Sequence, residues 1–189
     1  MSEMQYYEVR ADDKSHADRW FLGEPYADAK EEIDARLFRY GQPYTGPSPI
    51  RIPILKDGTA VAFSLAAFDM PVVSDAVRKA VGAITSQGYD LFPVAVDSRK
   101  DAYWILNVNT AIACVDEARS EVQKWAASDG RPDRIGAYRS IVNLKIDPSR
   151  SCGDIFRVKG WEVALVVSDN IRHALEGISN LGIIFKPLT

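Results

Sequence analysis

Two thirteen-residue stretches, 72–84 and 166–178, repeat one pattern and constrain the fold more than any other feature of the chain. They are identical at seven positions: Val72/Val166, Val73/Val167, Ser74/Ser168, Asp75/Asp169, Arg78/Arg172, Ala80/Ala174 and Ile84/Ile178. Val77/Ile171 and Val81/Leu175 are conservative exchanges. Each shared type has a physical use. The serine hydroxyl accepts from the unpaired amides that open a helix, the aspartate suits the positive helix end, and Asp and Arg three residues apart can pair on the surface. Val77, Val81 and Ile84 then form an apolar face opposite Arg78 and Lys79. Each copy continues to an apolar strand, through Leu91-Phe92 or Ile184-Phe185. A solenoid needs at least about three copies of a ~20–50-residue period, so this pair predicts two similar β-helix-β units on one sheet, with the helices as scaffold. Convergence on a favourable helix start would give the same local pattern and stays open at this point.

The remaining elements follow from periodicity and turn residues. A β-prone start at 5–9 and an apolar patch at 20–22, ended by Gly23 and Pro25, precede an expected N-terminal acidic helix over 28–40. There Ala29, Ile33 and Leu37 recur every four positions, Phe38 broadens the stripe, and Gly41 stands where a C-terminal cap belongs. Pro43, Gly46, Pro47 and Pro49 then dictate an extended connection. Strands at 50–55 and 59–65 flank Lys56-Asp57-Gly58 and read as a hairpin. A second hairpin is expected from 91–96 and 102–108, in the centre of the sheet. Residues 111–115 can continue that meander, 122–127 suit strand or helix, 128–134 form a loop, and 141–146 and 155–158 are strands. Ser168 caps a helix to about 178, and 182–185 form a last strand.

Composition limits what such a chain can do. With 189 residues, 47% hydrophobic and 26% charged, it suits one folded domain and is too apolar for intrinsic disorder. No uncharged apolar run reaches the ~18 residues that cross a bilayer, so no membrane association is expected. The first ten residues lack the basic start and apolar core of a secretory signal, which gives a cytoplasmic expectation. A net charge of −3 shows no basic excess, so nucleic acid is not an expected direct partner. The charge is unevenly spread: residues 11–34 carry eight acids against three bases. Such a face can steer a basic partner, and a solvated surface helix would look the same.

The usual marks of catalysis are missing. There is no G-x-G-x-x-G, no G-x-x-x-x-G-K-[ST] and no G-x-S-x-G. His16 and His173 are isolated, and neither has a His or Cys at ligand spacing, so no metal and no cofactor is expected. Of the two thiols, Cys114 sits in an apolar strand and Cys152 in a loop with no base assured beside it; both read as bystanders. Glu31 and Glu32 are adjacent, and neighbouring helix residues point apart, so they cannot face each other as glycosidase carboxylates do. What the chain has in excess is large aromatic surface: four tryptophans and eight tyrosines. Trp104 is assigned to the core. Trp20 and Trp125, flanked by charge, are expected at the surface as partner anchors. Together with Asp28, Glu31, Glu32 and Asp34 they are the candidate partner-binding residues.

The run Tyr103-Trp104-Ile105-Leu106-Asn107-Val108, Asp116, Asp154-Ile155-Phe156-Arg157 and the ending Gly182-Ile183-Ile184-Phe185-Lys186-Pro187-Leu188 resembles the eleventh immunity-protein family of bacterial polymorphic-toxin systems. Arg19-Trp20-Phe21-Leu22-Gly23 and Val73-Ser74 are similar to it as well. The resemblance implies a cytosolic antidote that binds and neutralises the catalytic domain of a toxin encoded beside it, often a nuclease. Its shared residues are mainly apolar strand positions, so no family site residue carries over.

The sequence therefore predicts a single α+β domain. A variable N-terminal part, 1–68, precedes a family-like core, 69–189, in which two similar helices pack on a mostly antiparallel sheet. The expected role is non-enzymatic binding of a cognate protein toxin, with the oligomeric state left open. Two rivals remain: a small enzyme using Asp116 and Arg157, and a general protein-interaction domain.

Overall fold

A computed structural model describes residues 4–28, 31–150 and 153–189; Ala29 of the expected helix stripe and the thiol of Cys152 lie outside the described residues. Strands β1 (Tyr6–Ala11), β2 (Phe21–Leu22), β3 (Ile50–Ile52), β4 (Ile54–Lys56), β5 (Phe63–Leu65) and β6 (Pro71–Ser74) precede helix α1 (Asp75–Ile84). Then come β7 (Tyr89–Val96), β8 (Tyr103–Val108), β9 (Ala111–Ile112), β10 (Glu121–Lys124), β11 (Tyr138–Val142), β12 (Ile155–Val158) and β13 (Trp161–Ser168). Helix α2 (Asp169–Glu176) and strand β14 (Ile183–Pro187) follow.

The class is α+β and the pairing mostly antiparallel, as expected, but the strands form two large sheets. One has the order β3-β7-β8-β6-β5, the other β14-β1-β13-β12-β9, and two-stranded ribbons β2-β4 and β10-β11 stand apart from them. The repeated units thus lie one on each sheet, correcting the expectation that they share one. In the first unit α1 connects β6 to β7, and β8 is inserted antiparallel between them. In the second, α2 connects β13 to β14, and the inserted antiparallel strand is β1 from the start of the chain.

The 94-residue offset holds well beyond the helix starts. Pro93 faces Trp104 as Pro187 faces Tyr7, and Tyr89 faces Val108 as Ile183 faces Ala11. The Arg78 guanidinium lies 4.8 Å from the centroid of Trp104, and that of Arg172 lies 4.8 Å from Tyr7. Gly88 and Gly182 both have φ near +90° and both abut the opposite unit. A Cβ on Gly88 would stand 2.7 Å from the Ile155 carbonyl oxygen, and one on Gly182 would stand 2.9 Å from that of Phe63. Ile155 and Phe63 are themselves equivalent, facing Val167 and Val73. A good helix start alone reproduces none of these strand partners, so the two units are structural repeats, the second permuted so that β1 completes it.

The units share one core. Val73, Val77, Val81 and Leu106 of the first meet Leu165, Val167, Ile171 and Leu175 of the second. Each such side chain, once buried, contributes ~1.5–3 kcal/mol of transfer free energy. Trp20, Phe38, Ile50, Ile52 and Met70 form a second cluster, and Tyr6, Cys114, Ile146 and Phe156 a third.

Two predicted elements are not found among the described residues. The N-terminal acidic helix is not shown; over 31–40 the described chain forms a 3₁₀ turn, Ala35–Phe38. The Asp34 carboxylate accepts from the Arg36 amide at 2.9 Å and its own backbone is extended, so Asp34 starts a turn where a helix would have to continue. Upstream, the amide of Ile33 donates to the Pro25 carbonyl and that of Ala27 to the Glu31 carbonyl. Ile33 and Phe38 are buried as the pattern requires, but Leu37 is exposed. Nor do residues 50–65 form a hairpin. Pro53 divides the first run, β3 pairs parallel with β7, β4 pairs with β2, and β5 pairs with β6. Conversely, β13 received no sequence assignment beyond its Val166-Val167 end.

Candidate partner-binding surface

The β2-β4 ribbon pairs Leu22 with Ile54 and Phe21 with Lys56. Leu22 faces the core, which turns Phe21 outward beneath the Lys56 ammonium, 5.5 Å from its ring centroid. On the other strand Leu55 is 73% exposed, the most exposed large apolar side chain among the described residues. Just downstream of β2 the chain bonds to β3: the Tyr26 amide donates to the Arg51 carbonyl at 2.9 Å, and the Arg51 amide donates to the Tyr26 carbonyl at 2.8 Å. The Tyr26 hydroxyl donates to Asp97 at 2.9 Å, and this bond to its neutral form raises its pKa. A groove of about 520 Å³ results, lined by Glu24, Pro25, Tyr26, Glu32, Pro53 and Leu55.

The acids of this segment are not equivalent. Glu32 lines the groove, Glu31 is exposed next to it, and among the described residues neither has an ion-pair partner. Asp28 is exposed, 4.0 Å from the Arg51 guanidinium. Asp34 is engaged: the Arg36 Nε donates to both its oxygens, at 2.9 and 3.1 Å, and these bonds hold its carboxyl below the usual aspartate range. Glu31 and Glu32 are therefore the charges most available to a partner.

The tryptophans separate. Trp20 is 1% exposed, its Nε1 donates to the Ser64 hydroxyl at 2.8 Å, and its ring packs on Tyr103, so its expected surface position is corrected to a core position. The charged neighbour that suggested exposure is itself turned inward, because Arg19 is buried and donates to the Gly182 carbonyl. Trp125 is half-buried on the separate β10-β11 ribbon, with the Arg139 guanidinium 4.8 Å from its centroid and that of Arg134 at 6.0 Å. Phe21, Pro53 and Leu55 received no functional assignment from the sequence. Pro53, which splits a β-prone run, was the available signal that Leu55 leaves the sheet.

Asp116 and Arg157, the pair considered for catalysis, line different cavities. Asp116 borders one of about 410 Å³ with Glu117, Tyr138, Asp147, Arg150 and Lys159. The Arg119 Nε donates to it at 2.6 Å and lowers its pKa, while burial and a hydrogen bond to Glu117 push the Tyr138 phenol up to about 12. Arg157 lies in a smaller cavity beside β1. Cys114 is buried, and among the described residues no group of three or more His, Cys, Asp or Glu could hold a metal ion.

Fold and surface together define an α+β module whose most conspicuous open feature is an apolar groove with an acidic border. The chain belongs to the Imm11 immunity protein family, whose model matches residues 8–189 and so takes in the N-terminal part as well as both repeats. No curated protein matches it.

Proposed function

We propose that this chain binds a cognate protein toxin in the cytosol of the cell that makes it and blocks the toxin without chemistry of its own. The toxin is received at the groove beside β4, with Leu55 and Phe21 as apolar anchors and Glu24, Glu31, Glu32 and Asp28 as the charged border. The observation that carries this reading is the 73% exposure of Leu55 beside unpaired carboxylates in a member of an immunity protein family. Apolar anchors inside a polar rim are how protein interfaces obtain affinity and specificity. The border's charge suits a basic toxin surface, and a nuclease has such a surface because it must hold phosphates.

Charges at an interface rim act mainly on the rate of encounter and are screened by salt. Glu31→Lys combined with Glu32→Lys is therefore expected to slow association with the toxin encoded beside the protein by at least about 10-fold at low salt, an effect that shrinks at high salt. The melting temperature should hold, because exposed charges contribute little to stability. Stopped-flow association rates read this directly; a parent-like rate at both salt concentrations would remove the acidic border from the interface.

A further inference from the structure

The hairpin of β5 and β6 turns through Phe68 and Asp69, and both have positive φ, 53° and 60°. The Met70 amide closes the turn on the Ala67 carbonyl at 3.2 Å. A turn with two such central residues favours Asn-Gly or Asp-Gly, because a Cβ crowds the backbone in the left-handed region and a bulky side chain is a rare occupant there. The equivalent hairpin of the second repeat, between β12 and β13, follows that rule: it turns through Lys159-Gly160, and the glycine holds φ +83°. The shared architecture therefore does not ask for Phe68.

Packing does not ask for it either. The ring is 46% exposed and, among the described residues, belongs to none of the three apolar clusters. The Arg36 guanidinium lies 5.4 Å from its centroid. Arg36 sits on the 3₁₀ turn Ala35–Phe38, which packs against the turn that carries Phe68; Leu37 on that turn and Tyr40 just beyond it are exposed as well. A strained residue that neither its turn nor the core requires, set among other exposed apolar side chains, points to recognition.

The turn adjoins the groove beside β4. Asp34, two residues after the groove's Glu32, accepts from the Arg36 Nε at 2.9 Å. That bond raises the Arg36 pKa, as do, less strongly, Tyr40 and the Glu24 carboxylate on the groove's border. Asp34 thus neutralises the guanidinium beneath the ring, while Asp69 borders a different cavity, with Glu8 and Arg10. The surface of Phe68, Leu37 and Tyr40 suits an apolar side chain, where the groove's border suits a basic one.

We propose that the strained turn holds Phe68 as a second apolar anchor for the toxin, which places an apolar side chain against the ring, Leu37 and Tyr40. The proposal rests on the toxin-binding reading and extends its surface past Arg36. A ring fixed before binding leaves little loop and side-chain entropy to lose on association. Strain in the free protein is then the counterpart of affinity in the complex.

Such a residue gives stability and affinity opposite signs. Phe68→Gly removes the ring and accepts the positive φ, so it should melt at or above the parent temperature while its Kd for the purified toxin encoded beside the protein rises at least about 10-fold. Phe68→Asn, a residue type that tolerates this conformation, should behave alike and decides should the glycine variant fail to fold. Thermal unfolding and titration calorimetry read the two quantities. Parent-like binding by the folded variants overturns the anchor, and a lowered melting temperature in both means that the fold needs the ring and overturns it too. Leu55→Asp, titrated alongside, separates this proposal from the groove. Loss of affinity in that variant alone removes Phe68 and leaves the groove, whereas loss in Phe68→Gly alone upholds the anchor and removes the groove.

Discussion

The Trp20 indole and the Ser64 hydroxyl are the clearest case of single residues whose role depends on a bond rather than on bulk. Both are buried, and the 2.8 Å bond between them satisfies the indole N–H inside the core. Trp20→Phe keeps most of the ring and removes the donor, leaving the serine without it. The expected cost is about 2 kcal/mol, read as a melting temperature lower by roughly 4–8 °C, with affinity for a protein partner unchanged. A loss of affinity without a loss of stability would put Trp20 at the interface after all. The misplacement of Trp20 has a physical origin. Sequence neighbours report exposure only if their own side chains point outward, and Arg19 turns in to reach a carbonyl 163 positions away. Glu31 and Glu32, by contrast, were legible as surface acids, because no fold of this chain could bury two adjacent unpaired carboxylates cheaply.

Among the elements, those specified by local chemistry were legible and those specified by distant partners were not. α1 and α2 begin where the Ser-Asp pairs place them, and β7, β8 and β12 lie within a few residues of their predicted runs. The acidic helix is not seen because Asp34 accepts from the Arg36 amide to start a turn, and Tyr26 bridges to Glu32 and to Arg51 of β3. The 50–65 hairpin failed because parallel pairing with β7, some forty residues later, outcompeted the local turn. The helix caps carry a prediction in which structure refines sequence. The repeat implies equal caps, yet the Oγ distances to the third amide are long, 3.5 Å for Ser74 and 3.4 Å for Ser168, and only Ser168 also donates to Asp154, at 2.5 Å. Ser74→Ala should therefore cost ~0.5 kcal/mol and Ser168→Ala ~2 kcal/mol, measured by urea unfolding. Equal losses would mean that the Asp154 bond contributes nothing.

At the scale of the whole molecule, two equivalent units face each other through their helices and through paired glycine contacts, and the differences between them are where function is to be sought. The first sheet carries the β2-β4 ribbon and its groove at one side, and the β10-β11 ribbon is inserted between β9 and β12 at the other. The sequence announced the duplication through the helix starts but could not show that β1 completes the second unit, since that pairing joins residues about 160 apart and leaves no local mark. The exposed apolar ribbon is the asymmetry that best fits a partner, and affinity for the neighbouring toxin tests it most directly. Leu55→Asp places a charge where the account puts an anchor, on a side chain already 73% exposed. Titration calorimetry should show the Kd raised at least about 10-fold with the melting temperature held within about 1 °C; a variant that folds and binds the toxin as tightly as the parent contradicts the account.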